Sequence, residues 1–164
     1  MIKGLHHNAY RCRDTEETRQ FYEDFLGLPL AHALHIEETK TGRTEDALHS
    51  FFRLDDGSFL AFFEVPGRPF EFKDQHDFDL HIALEVDMPS LERMFAKGRA
   101  EGREVRGISD HRFIRSIYFR DPNGYVIELT AKVAGHDEAM DPAKSRAKQL
   151  VDDWQARKRQ PVPA

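Results

Sequence analysis

Apolar and polar positions change their spacing several times along the chain, and these changes mark out its elements. Leu5 to Cys12 is short and rich in β-compatible residues. Apolar residues then recur at helical spacing as far as Leu26, with Asp14 as the predicted N-cap and Gly27 as the terminating residue. Strand-like runs follow at 28–37, 48–54 and 58–65. The first third of the chain therefore predicts the order β-α-β-β-β.

The same order then repeats. A strand at 79–86 leads into a helix that Asp87 can cap and that runs to about Ala100, and strands follow at 104–108, 115–119 and 125–129. Each half opens on a leucine-histidine strand that leads to an aspartate, GLHHNAYRCRD in the first half and DLHIALEVD in the second. We predict an α+β domain in residues 1–132, with βαβββ modules at about 4–66 and 78–131. The paired modules should form a curved, mixed eight-stranded sheet around a cavity.

Residues 133–164 differ from both modules and predict a C-terminal helical extension. Asp141 and Pro142 suit the start of a helix, and Ala147, Leu150 and Trp154 continue a narrow apolar stripe along it. We expect this helix to dock against its own sheet or that of a partner.

Composition narrows the range of functions. The net charge of −5 offers no basic surface for nucleic acid or for an anionic membrane. The opening residues lack the apolar run of a secretory signal, no stretch approaches the length of a membrane span, and a single cysteine gives no internal disulfide. A cytoplasmic protein is the expectation. Nine histidines and thirteen phenylalanines suggest an aromatic-lined polar site.

Strand alternation places three candidate metal ligands on the faces turned away from the core. His81 alternates with the apolar Leu80 and Ile82, and Glu128 lies between the core-like Ile127 and Leu129. His7 occupies the corresponding face of the first strand. Any one of these side chains alone is typical of an ordinary surface, but together they form a two-histidine, one-carboxylate set that leaves coordination positions open for substrate. We expect all three to converge on one cation.

Three stretches carry a family resemblance: GLHHNAYRCRD, DLHIALEVD, and IYFRDPNGYVIEL near the end of the second module. They resemble the vicinal-oxygen-chelate superfamily of glyoxalases, bleomycin resistance proteins and extradiol dioxygenases. The resemblance covers roughly residues 4–131. It implies a divalent-metal enzyme with a small-molecule substrate, usually homodimeric, with His7, His81 and Glu128 as ligands. His6 is an adjacent rival to His7, but both the resemblance and the alternation favour His7.

The segment from His111 to Glu128 is similar to the extradiol dioxygenase signature. The signature also includes the position two residues before His111, and Ser109 departs from it there. That resemblance implies Fe(II), a catechol-like substrate, and catalytic roles for Tyr118 and His111. Zn, Ni and Mn are the alternative metals. The same subfamily also uses a histidine near the start of the fourth strand, where this chain has none. His49 and His76 are the candidate replacements.

Two other functions stay open. Glu64 occupies the position at which glyoxalase I carries a fourth ligand, which implies a lyase or isomerase as the alternative. The further alternative is a metal-free binding module of the resistance type, although such proteins typically lack the ligand set. Phe62, by the alternation read for the fourth strand, is expected to line the substrate pocket.

Overall fold

The computed structural model describes residues 1–38, 42, 44–72, 76 and 78–158. The strands are β1 Tyr10–Arg11, β2 Leu30–Glu38, β3 Thr44–Arg53, β4 Phe59–Glu64, β5 His81–Glu85, β6 Val105–Asp110, β7 Ile114–Arg120 and β8 Val126–Lys132. The helices are α1 Thr15–Arg19, a π-helical continuation Gln20–Phe25, α2 Met88–Ala100, α3 His136–Ala139 and α4 Ala147–Lys158. The repeated β-α-β-β-β order is confirmed.

The eight strands form two four-stranded mixed sheets, one from each module. Sheet 1 has the order β1-β4-β3-β2, and sheet 2 has the equivalent order β5-β8-β7-β6. The first strand of each module pairs in parallel with the last, and the other pairs are antiparallel. The predicted fold class is therefore confirmed, with the eight strands divided equally between two sheets.

The helix starts in the two modules follow the sequence closely. Asp14 accepts a hydrogen bond from the Glu17 backbone N–H at 2.8 Å, and Asp87 accepts one from the Ser90 N–H at 2.7 Å. Both satisfy amides that the first turn of a helix leaves unpaired. The two predicted caps are confirmed.

The C-terminal helix begins later than predicted. The start at Asp141 is wrong, because Asp141 accepts a hydrogen bond from the Ala143 N–H within a turn and α4 begins only at Ala147. Every residue of α4 is exposed, including Leu150 at 64% and Trp154 at 53%. The helix therefore shows no burial against its own sheet, and residues 159–164 of the predicted extension lie outside the described residues.

One hydrophobic core joins the two modules. It contains Tyr22, Phe52 and Phe62 from the first module and Leu91 and Ile127 from the second, each with 0% exposed surface. Its members come from the helices and from one face of each sheet. The other face of each sheet, here called the open face, is left to carry the candidate site.

A polar contact also crosses between the modules. The predicted turn Asp121-Pro122-Asn123-Gly124 precedes β8, and Gly124 has the positive φ of 95° that such a turn favours. Asp121 is buried, and it accepts hydrogen bonds from the Tyr22 hydroxyl and from backbone and side-chain N–H groups of Asn123. Asn123 in turn accepts from the Arg13 backbone N–H at 2.7 Å.

Among the described residues, the helices are too short or too polar for any of them to cross a bilayer. The cytoplasmic location stays a prediction.

Candidate functional site

Sheet 2 places His81 and Glu128 on its open face. In the parallel register of β5 and β8, Ile82 lies beside Ile127 and Ala83 beside Glu128. The two isoleucines pack towards the shared core, so the residues that alternate with them face the opposite way. This is the arrangement that the alternation in the sequence predicts.

The two side chains meet. His81 Nε2 lies 3.2 Å from Glu128 Oε2, although the Glu128 side chain is only 7% exposed and that of His81 is 40% exposed. A buried carboxylate is costly unless a cation or hydrogen-bond donors compensate it. The pair thus presents an imidazole nitrogen and a carboxylate oxygen at one point, both of them suitable donors for a divalent metal.

Tyr118 and His111 extend this pair along the same face. The Tyr118 hydroxyl donates to Glu128 Oε1 at 3.3 Å, and His111 Nε2 lies 2.9 Å from the same hydroxyl. Because the phenol gives its single proton to Glu128, its oxygen is left to accept a hydrogen bond from His111. Burial, and then the negative charge of Glu128, raise the pKa of Tyr118. The hydroxyl is therefore a proton-bearing donor at neutral pH.

His7 lies on the open face of sheet 1. It forms a parallel bridge with Phe59, whereas Tyr10 lies beside the core residue Phe62, so the two positions have opposite orientations. The His7 ring centroid is 6.0 Å from that of His49 and 5.5 Å from that of Phe51. Its Nδ1 lies 2.8 Å from Nδ1 of His6, the rival candidate.

The three predicted ligands do not meet within one chain. Over the described ranges, no group of three or more histidine, cysteine, aspartate or glutamate side chains is close enough to hold a metal ion. The expectation that His7, His81 and Glu128 converge on one cation inside a single chain is therefore wrong. The physical reason is that His7 belongs to sheet 1 and the other two to sheet 2, and the modules pack through their core-facing sides.

Two further predicted positions face the core side of sheet 1. Phe62 has 0% exposed surface and packs against Tyr22 with ring centroids 4.7 Å apart, so it is a core residue and does not line a substrate pocket. Glu64 has the same strand parity as Phe62, and its Oε2 accepts a hydrogen bond from the Thr15 backbone N–H at 2.6 Å. Glu64 thus stabilises the start of α1, on the side of the sheet opposite to His7.

The open face of sheet 1 also holds His49, which the sequence suggested only as one of two replacements for a missing histidine. Its ring stacks on that of Phe63, with the ring centroids 3.7 Å apart, and its centroid lies 4.2 Å from that of Phe51. Burial, with smaller effects from His7 and His32, lowers the pKa of His49. The signal in the sequence is its place on β3, where it alternates with the buried Ser50 and Phe52. His76, the other candidate, is exposed and accepts a hydrogen bond from the Phe78 backbone N–H.

Comparison with known families agrees with this architecture. A sequence model of the Glyoxalase/Bleomycin resistance protein/Dioxygenase superfamily matches residues 4–129. The chain belongs to this superfamily. Members of the superfamily are commonly enzymes. No curated protein matches the chain.

Solved structures share the fold at low identity. A glyoxalase/bleomycin resistance protein/dioxygenase domain from Frankia superposes with a TM-score of 0.64 at 18% identity, covering 86% of this chain and 100% of that one. A glyoxalase/dioxygenase from Nostoc punctiforme gives 0.60 at 25% identity, covering 80% and 92%. A mutant of the fosfomycin resistance protein FosX from Listeria monocytogenes, complexed with Mn(II) and 1S,2S-dihydroxypropylphosphonic acid, gives 0.62 at 22% identity, covering 84% and 99%.

Proposed function

We propose that this chain is a divalent-metal-dependent enzyme that acts on a small substrate with oxygens on adjacent carbons, most closely in the manner of an extradiol dioxygenase. The observation that carries the proposal is the contact of His81 Nε2 with Glu128 Oε2 at 3.2 Å, extended by the Tyr118 hydroxyl. A histidine and a largely buried carboxylate meet there on a sheet face that the core does not use.

The third ligand would come from His7 of a second copy. His81 lies on β5, an edge strand of sheet 2, and the His7 segment runs along β4 at the matching edge of sheet 1. Edge strands and exposed sheet faces are common places for association between copies. In a two-fold dimer the open face of sheet 1 from one copy would lie against that of sheet 2 from the other. This would complete two equivalent sites.

Such a set fits a catalytic metal. His7, His81 and Glu128 would hold the ion, and an Fe(II) ion held by two histidines and one carboxylate would supply the chemistry that brings a catechol and dioxygen together. Fe(II) is therefore the proposed metal, with Mn, Zn and Ni as alternatives. FosX, which shares the fold, is solved with Mn(II) and with a compound that carries hydroxyl groups on adjacent carbons.

The residues around Glu128 supply the polar functions that the reaction needs. The Tyr118 hydroxyl holds Glu128 by a hydrogen bond and can offer its oxygen to an entering substrate hydroxyl, while His111 holds that phenol in place. Removing the Tyr118 hydroxyl or the His111 ring should disturb the orientation of the substrate more than the retention of the metal. The glyoxalase-like alternative is less well supported, because Glu64 is engaged at the start of α1.

Metal analysis and oxygen uptake test this proposal. Protein purified anaerobically without an affinity-column metal should contain iron, and it should consume dioxygen with a panel of catechols. Glu128→Gln should lose most of the metal. Glu85→Gln is the matched control, because Glu85 lies on the same face, is exposed, and binds Lys132.

The outcomes separate the alternatives. Tightly bound Zn or Ni without oxygen uptake would overturn the dioxygenase assignment, and metal loss in Glu64→Gln equal to that in Glu128→Gln would favour the glyoxalase-like reaction. Protein that binds no divalent metal, with unchanged stability in a chelator, would overturn the metal-dependent function altogether.

A further inference from the structure

The open face of sheet 1 is unusually aromatic for a surface that the core does not use. His49 lies directly opposite Phe63 and Phe51 lies opposite Ala61 in the antiparallel register of β3 and β4, so these side chains share a face with His7. The Phe51 ring packs beside both histidine rings, with its centroid 4.2 Å from that of His49 and 5.5 Å from that of His7. Aromatic surface around a few polar atoms is typical of a small-molecule site.

His49 is held rigidly within this surface. Its ring lies nearly parallel to Phe63, with an interplanar angle of 17°, and only 7% of the residue is exposed. A ring stacked on Phe63 and packed at a tilt against Phe51 presents its nitrogens in a defined direction. A ring held in this way can bind a hydrogen-bonding group of a ligand with little loss of side-chain freedom.

One ring nitrogen of His49 has no hydrogen-bond partner among the described residues. This nitrogen, Nε2, is buried. Arg11, on the same face, also has an unpaired buried Nε, but its Nη2 already donates to the Val65 and Arg68 carbonyls. Native structures pair nearly all buried polar atoms, so an orphaned imidazole nitrogen needs a physical explanation.

We propose that His49 binds the substrate, forming a hydrogen bond through Nε2 with a substrate oxygen while Phe51 packs against a flat apolar ring. This inference rests on the proposed function, because His7 on the same face is one of the proposed metal ligands. The His7 ring centroid lies 6.0 Å from that of His49, and His7 is exposed, so its side chain has room to move when a ligand binds beside His49. The ligand class is a planar ring that carries an oxygen close to His7.

A binding measurement with 4-nitrocatechol tests the role without relying on turnover. The probe absorbs in the visible range and changes colour when it ionises at a metal, so it can be titrated into anaerobic Fe(II)-loaded protein. His49→Phe keeps the stacking on Phe63 and removes the nitrogen, and it should weaken binding roughly tenfold with unchanged iron content. His49→Gln returns a hydrogen-bonding group and should recover most of the affinity.

His35→Phe provides the matched control. His35 lies on the neighbouring strand β2, is exposed, and pairs with Asp46 at 2.8 Å, so the same chemical change there should leave the dissociation constant unaltered. If His49→Phe binds the probe as tightly as the unmodified protein while both retain iron, the inference is overturned and the proposed function stands. If the unmodified protein retains no metal, both are overturned. Equal weakening in His49→Phe and His49→Gln would show a packing role and would also overturn the inference.

Discussion

The Tyr22 hydroxyl donates a hydrogen bond to Asp121 Oδ2 at 2.9 Å, across 99 positions of sequence. Tyr22 belongs to the π-helical segment of the first module and Asp121 to the turn before the last strand of the second. Both are buried, at 0% and 5% exposed. The contact therefore links the helix of one module to the turn that sets the position of β8, the strand that carries Glu128.

Tyr22→Phe should lower the free energy of unfolding by about 1–2 kcal/mol, because a buried hydrogen bond to a carboxyl group is lost while the ring remains. Denaturant unfolding measures the change. Tyr10→Phe is the control, since Tyr10 packs on Tyr125 but the described residues offer its hydroxyl no hydrogen-bond partner. An equal loss in both variants would contradict a specific role for the Tyr22 hydroxyl.

Gly98→Ala should destabilise the protein even though alanine is the better helix former. A Cβ at Gly98 would lie 2.5 Å from Cε1 of the buried Phe119, so either that ring or helix α2 would have to shift. Overpacking of this kind should cost about 1 kcal/mol or more. Thermal unfolding gives the readout. Gly67→Ala is the control, because an added Cβ there meets nothing within 4 Å. A rise in stability for Gly98→Ala would refute this packing.

Cys12 should react slowly with thiol reagents in the native protein. Burial raises the pKa of its thiol to about 11, and the residue is 2% exposed. The thiolate is the reactive form, so modification by 5,5′-dithiobis(2-nitrobenzoic acid) at pH 8 should be roughly a hundredfold slower than after unfolding in denaturant. Because the chain has one cysteine, the signal reports this site alone. Rapid modification of native protein would contradict the burial of Cys12.

Mixing two inactive variants tests whether the proposed metal site is shared. His7→Ala and Glu128→Ala should each lose metal. When they are unfolded and refolded together, random pairing should restore about a quarter of the wild-type metal content, since half the dimers are hybrids with one complete site of two. Each variant refolded alone is the control. No recovery in the mixture, with dimers present, would show that the ligands are not drawn from two copies.

Ending the chain at Arg146 should leave the stability of the domain nearly unchanged. Helix α4 buries none of its residues, so removing it should alter the free energy of unfolding by about 0.5 kcal/mol or less. Thermal unfolding at two protein concentrations would check this. A large loss would show that α4 packs against something in solution. A loss only at high concentration would identify that partner as another copy.

The sequence was most informative where polar and apolar residues alternate. His81 and Glu128 each stand between apolar neighbours that face the core, so their common orientation followed from strand geometry. Asp14 and Asp87 were likewise recognisable as caps, because a short acidic side chain before an apolar helical repeat has a local role. These predictions needed no knowledge of how the modules pack.

Strand β4 gave no such signal. Its residues Leu60, Ala61 and Phe62 are all buried, because the strand is central in its sheet and both faces are apolar. Alternation could not show which of them faces the core, and the expectation that Phe62 lines a pocket is wrong for that reason. The sequence pattern could not predict the separation of His7 from His81 either, since it depends on how two modules far apart in sequence pack together.

Strand β3 alternates between residues that face the core and residues that lie on the open face. Ser50 and Phe52 point inwards, while His49 and Phe51 belong to the open face. Substitutions on the open face of this strand can therefore change the surface offered to the proposed ligand while the core-facing residues keep the fold. The same division would let homologues diverge in chemistry without first losing their scaffold.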